Sequence, residues 1–151
     1  MSQKNELYQT YVKNKLIPYS SNHELLNIHL IDLKILAMLY DLAMVANDAK
    51  VFSFWDKSPV ESEALRENYL NGLKTLIALG YEIKVDRLKN FQEIPEETAL
   101  SDLFFRLYQD IFKIKQNYSF ADYENTFDDY LALGFTLGFD LETITAALNG
   151  Q

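Results

Sequence analysis

The sequence predicts an all-α fold, a bundle of about five to six helices, and two observations carry that prediction. Glycine and proline number only 5 and 3 in 151 residues, so long helices can run without interruption. Apolar residues return at three- and four-residue steps through most of the chain, the period of one face of an α-helix. The length is that of one domain, and no linker, internal repeat or low-complexity tract divides residues 1–151.

The first helix is expected over residues 3–16, with Leu7, Tyr11 and Leu16 along one side and Pro18 ending the run. Ser21 and Glu24 have capping-box spacing and open a second helix that reaches about Ala49. Its inward positions read as Leu25, Ile28, Ile35, Leu36, Leu39, Leu42, Ala43 and Ala46, and apolar crowding at 30–33 suggests a break. Residues 52–59 read as a packed loop. The third helix starts near Val60, with Leu65, Tyr69, Leu73, Leu76 and Ile77 inward. Gly80 reads as the residue just past its end, where a left-handed backbone suits a side chain without Cβ. Residues 81–96 form a connection with a helical turn near 85–88. The fourth helix spans about 97–116, with Leu100, Leu103, Phe104, Leu107, Ile111 and Ile114 inward. The fifth spans about 120–137, with Tyr123, Phe127, Tyr130, Leu131 and Phe135. Asp140 reads as the N-cap of a short last helix over 141–148.

Composition removes several function classes. The chain has no cysteine, so disulfides, thiolate metal sites and cysteine nucleophiles are excluded. The net charge is −8, and the 14 Lys and Arg are scattered without the basic stripe that a phosphate backbone needs, so direct nucleic-acid binding is not expected. Residues 35–46 are the longest apolar region; Tyr40 and Asp41 break it, and it is too short to span a bilayer. The polar start, Met1 to Glu6, is followed by no signal-peptide pattern, so a cytoplasmic protein with no membrane association is expected. His23 and His29 lie six apart, off a common helical face, and suggest neither a zinc pair nor a triad. P-loop and nucleophile-elbow motifs are absent.

Three blocks in register carry a resemblance. The first is Lys34-Ile-Leu-Ala-Met-Leu-Tyr-Asp-Leu-Ala-Met-Val-Ala-Asn-Asp48, followed by Phe52-Ser-Phe-Trp55. The second is Leu65-Arg-Glu-Asn-Tyr-Leu-Asn-Gly-Leu-Lys-Thr-Leu-Ile-Ala-Leu-Gly80. The third is Tyr130-Leu-Ala-Leu-Gly-Phe-Thr-Leu-Gly-Phe139 with Ile144 and Ala147. In this order and spacing, from about Asp32 to the C-terminus, they resemble the dimeric dUTPases, within the all-α nucleoside triphosphate pyrophosphatases. The resemblance implies a homodimer and Mg²⁺-dependent cleavage between the α and β phosphates, with the metal neutralising phosphate oxygens and positioning water. In that family two neighbouring helices supply ExxE and ExxD, each pair sharing a face because i and i+3 are neighbours on a helix.

Those four places read Asp41, Met44, Asn68 and Asn71 here, and only Asp41 keeps a carboxylate. A thioether is a poor ligand for a hard cation, and amides bring no charge. The resemblance also places Asn47, Phe54, Trp55 and Lys74 at the nucleotide pocket; Ser53 and Lys74 stand where the family usually has a lysine and a histidine. An Asn/Lys/Arg-rich tail usually follows the last helix and clamps phosphates, and its loss is expected here. Trp55 reads more plainly as a core or interface anchor, Met38 and Met44 as packing, and Gly72 as a point of close helix approach. A rewired metal site from Asp41, Asp48 and Glu67 is the alternative; its plainer reading is solvated or capping charge.

Four apposed carboxylates repel without metal and cost stability, which Met and Asn at those places relieve. The sequence therefore points first to a catalytically inactive relative that binds a protein or a nucleotide and needs no cofactor. The alternative is a working Mg²⁺-dependent nucleotide diphosphatase with altered ligands.

Overall fold

The computed structural model describes residues 2–19, 27–89 and 98–150. Among them are six α-helices and no strand: α1 Gln3–Tyr11, α2 Ile28–Asp48, α3 Ser62–Glu82, α4 Leu100–Asn117, α5 Phe120–Thr136 and α6 Leu141–Asn149. The all-α expectation holds.

Four of the six α-helices start after a short polar side chain that satisfies a free backbone N–H group. Ser2, Asn27, Ser119 and Asp140 each accept from the N–H three residues on, at 2.7–3.2 Å. Three helices end in the same paired hydrogen-bond motif. At α2, Val51 N–H reaches Ala46 O and Lys50 N–H reaches Asn47 O; α3 and α5 repeat this at Val85 and Lys84 and at Phe139 and Gly138. The left-handed residue is Lys50, Lys84 and Gly138 respectively.

Interhelix hydrogen bonds define the bundle. Asp41 and Asp48 on α2 meet Thr75 and Asn68 on α3, so the two helices run antiparallel. Tyr69 and Leu76 on α3 meet Tyr130 and Tyr123 on α5, again antiparallel. Arg106 on α4 meets Asp129 on α5 across their tight hairpin. Tyr108 Oη donates to Leu39 O on α2 at 3.4 Å, and the Tyr118 hydroxyl just past α4 donates to Asp32 at 2.6 Å. The order α2–α3–α5–α4 thus closes into an antiparallel four-helix bundle. α1 lies outside it on α5, where buried Lys4 pairs with Glu124 at 2.8 Å and Asp128 at 2.7 Å. Tyr8 Oη donates to Val85 O at 2.7 Å and holds the connection after α3 against α1. α6 packs on α1 and α3.

The inward positions of α3 and α4 match the sequence reading: Leu65, Tyr69, Leu73, Leu76, Ile77, Leu103, Phe104, Leu107, Ile111 and Ile114 are all buried. Each such side chain contributes about 1.5–3 kcal/mol relative to exposure. Elsewhere the structure corrects it. The α2 helix runs unbroken, and its buried face is Ile31, Ile35, Met38, Leu42, Val45 and Ala46, while Ile28, Leu33 and Leu36 face outward. Phe135 is also exposed. The first helix stays α-helical only to Tyr11, then widens to a π-turn over Val12–Leu16 and tightens to a 3-10 turn over Ile17–Tyr19 that contains Pro18. Residues 85–88 are not helical, although Val85 and Leu88 are buried. The fourth helix starts at Leu100, after non-helical Thr98 and Ala99; the expected start at 97 and the Ser21–Glu24 capping box lie outside the described residues.

Gly80 is the most instructive correction. It sits inside α3, which continues to Glu82. A Cβ there would collide with the Tyr123 hydroxyl. Gly72 makes the same room for the Tyr130 hydroxyl, and Gly134 for that of Tyr69. The glycines are sockets for tyrosines of the facing helix, so close approach outweighs the helix-stop preference.

Candidate functional site

The positions singled out by the sequence lie on two faces of α3. On the α2 side, Asp41, Met44 and Asp48 follow one edge of α2, all partly buried. Asp41 Oδ2 lies 2.6 Å from the Thr75 hydroxyl, whose other neighbour is Asn71 O at 3.1 Å. The single hydroxyl proton goes to the nearer, charged acceptor. About two turns along, Asn68 Nδ2 donates to Asp48 Oδ2. The amide must present its nitrogen there, because a carboxylate can only accept. Asn68 thus directs its NH₂, not its carbonyl oxygen, into the seam.

Next to this seam, on the more exposed face of α3, Glu67, Asn71 and Lys74 line an open cleft of about 320 Å³, with Arg66 beside them and Ala147 of α6 opposite. The structure therefore brings Asp48 to Asn68, and Glu67 to Asn71 and Lys74. It does not gather Asp41, Asp48 and Glu67: among the described residues no three His, Cys, Asp or Glu side chains form a group able to hold a metal ion.

The donor set decides the fit to magnesium. Mg²⁺ takes hard oxygen ligands in near-octahedral geometry. Of the four positions, Met44 offers sulfur, Asn68 is turned nitrogen-first, Asn71 is exposed and Asp41 already accepts from Thr75. These residues do not fit the ion. Thr75 is the contributor that sequence reasoning missed; it lies one turn after Asn71, and only the α2–α3 register shows that it meets Asp41.

The segment after α2 departs from the expected packed loop. Phe52, Phe54 and Trp55 are exposed, Phe54 at 84% and Trp55 at 66%, and the last two rings meet edge to face at 5.1 Å. Trp55 is therefore not a core anchor within this chain. Beneath them a polar clamp fixes the loop. Lys50 Nζ reaches Asp56 Oδ2 and Ser58 O, both at 3.0 Å, while Asp56 Oδ1 accepts from Ser58 N–H at 2.9 Å. The Ser58 hydrogen bonds, then Lys50, hold the Asp56 carboxyl at about 2. Asn47, one turn before the loop, is also exposed.

No single helix among the described residues is long and apolar enough to cross a membrane. Comparison with curated proteins and with solved structures gave no match. A family model described as dUTPase matches residues 3–150, which include the six α-helices, the α2–α3 seam and the aromatic loop. Helical architecture and match agree: the chain belongs to the dUTPase family of the dimeric, all-helical type.

Proposed function

We propose that this chain is a dUTPase-family domain that does not cleave nucleotides and acts by binding, to a protein partner or to a nucleotide. One observation carries the reading. Where the family pattern calls for four carboxylates there is a single one, Asp41, and the Thr75 hydroxyl occupies it from the facing helix. A lone charge cannot offset the cost of stripping water from divalent cations. The test is release of pyrophosphate or phosphate from dUTP, dUDP and a nucleotide panel with Mg²⁺ and with Mn²⁺. We expect none above background. Turnover within about tenfold of a median enzyme, roughly 10 s⁻¹, overturns the proposal.

A second reading, a working Mg²⁺-dependent diphosphatase with changed ligands, is favoured by the cleft in which Glu67, Asn71 and Lys74 meet. On that reading Glu67→Ala abolishes turnover and millimolar Mg²⁺ raises the melting temperature through ligand linkage.

A homodimer belongs to the proposal. Leu33, Leu36 and Tyr40 on α2 and Phe105 and Phe112 on α4 are all exposed, and helical geometry puts them on the outward side of the α2–α4 pair. A run of exposed apolar side chains of this kind is characteristic of interaction surfaces. Sedimentation of the wild type against Leu36→Asp checks it; a monomer of unchanged mass in both counts against it.

A further inference from the structure

A buried acid pair lies on the opposite side of the bundle from the α2–α3 seam. Asp110 on α4 is 7% exposed and Asp129 on α5 is 3% exposed, and their carboxyl groups are within hydrogen-bonding reach of each other. Asp129 Oδ2 accepts from Arg106 Nε at 2.9 Å. Asp110 lacks such support, for its Oδ2 is buried with no hydrogen-bond partner.

Two carboxylates this close and this dry cannot both be ionised. One proton turns the repulsion into a hydrogen bond, and the two groups then titrate as a pair. The arginine settles where the proton resides. Arg106 is hydrogen-bonded to Asp129 and not to Asp110, whose buried Oδ2 has no partner, so the proton resides on Asp110. Burial first, then the hydrogen bond and charge of Asp129, push the Asp110 carboxyl up to about 8, while Arg106 and Lys113 on its own helix act weakly the other way. Neighbouring charges are engaged elsewhere. Asp128 pairs with Lys4 of α1, and Asp32 on α2 pairs with Lys115 and Tyr118.

We propose that the α4–α5 hairpin is a proton-dependent joint, in which Asp110 and Asp129 hold the two helices together through one shared proton and its loss loosens them. The same α4 carries Phe105 and Phe112 on the outer apolar face, so the joint sets how firmly that face is held.

The sign follows from proton counting. An unfolded aspartate ionises near 3.8, whereas the folded Asp110 holds its proton to about 8. Between those values the folded chain carries one proton more than the unfolded chain. The contribution of the pair is therefore most favourable below the window, falls as pH rises through it and levels off above about 8.

Urea unfolding of the whole chain from about pH 5 to about pH 9 tests this against Asp110→Asn, which keeps the shape and the hydrogen bond but cannot ionise. Relative to the variant, the wild-type unfolding constant is expected to rise about tenfold per pH unit up to about pH 7.5 and to stop rising above about pH 8. Parallel profiles for the two proteins overturn the proposal. Carbon-13 titration of the aspartate carboxyls in the folded wild type reads the proton directly, even if the variant does not fold. One carboxyl titrating near 8 is expected, and all of them titrating below about 5 overturns the proposal.

Discussion

On one face of α3, Asn68 and Thr75 reach across to two aspartates of α2 at a partly buried edge. On another, Tyr69 exchanges hydroxyl-to-carbonyl hydrogen bonds with Tyr130, at 2.8 and 2.6 Å, deep in the core. Their rings stack at 4.7 Å and only 10° apart. The first seam holds Asp41 and Asn68, two of the positions the sequence resemblance implies for metal; the second holds the core. In the first, side chains of changed chemistry clasp the helices directly. In the second, the hydroxyls of Tyr69, Tyr130 and, further along the same seam, Tyr123 each fill the space of a missing Cβ, and burial drives the three phenols well above their usual range. A seam that serves as scaffold tolerates little, because a socket fits one shape. A polar edge near solvent can exchange carboxylate for amide at small cost.

The largest expected effect sharpens that contrast. Gly72→Ala adds a methyl group where the Tyr130 hydroxyl sits. Alanine favours a helix by about 1 kcal/mol over glycine. Overpacking and a displaced buried hydrogen bond oppose this with about 3–4 kcal/mol, so we expect a net loss of about 2–3 kcal/mol in urea unfolding. A stabilised variant would mean that the socket is loose.

Rebuilding the metal cup probes the other seam. The combined variant Asp41→Glu, Met44→Glu, Asn68→Glu and Asn71→Asp places four carboxylates together. Without metal it should melt below the wild type. Millimolar Mg²⁺ should restore about 2–3 kcal/mol if the ion reaches about 100 times its dissociation constant. Equal response to Mg²⁺ in wild type and variant would break the comparison between the seams.

Tyr69→Phe and Tyr130→Phe each remove one donor of the reciprocal pair. Each should cost about 1–1.5 kcal/mol, with the double variant departing from additivity because the residues touch.

The smallest effect belongs to Thr75→Val, which frees Asp41. A loss below about 1 kcal/mol is expected, since the hydroxyl donates at a partly exposed edge. A larger loss would mean that this clasp carries scaffold load after all.

The chain's own pattern was enough to specify helices, their number and most of the buried face of α3 and α4, because amphipathic periodicity and capping are local. Leu73, Leu76 and Ile77 could be placed inward from spacing alone, and Asp140 could be placed as a cap from its neighbours. The charge deficit at Asp41, Met44, Asn68 and Asn71 was also legible, since it needs only the identity of four residues. Tertiary structure decided the rest. Gly80 carries two conflicting local meanings, a helix stop and a close approach, and only the facing Tyr123 selects between them. The pairing of Asp41 with Thr75 and the meeting of Asp110 with Asp129 join residues 34 and 19 positions apart on different helices. Such contacts depend on helix rotation and register, which are set by the packing of the whole core and leave no mark in local spacing.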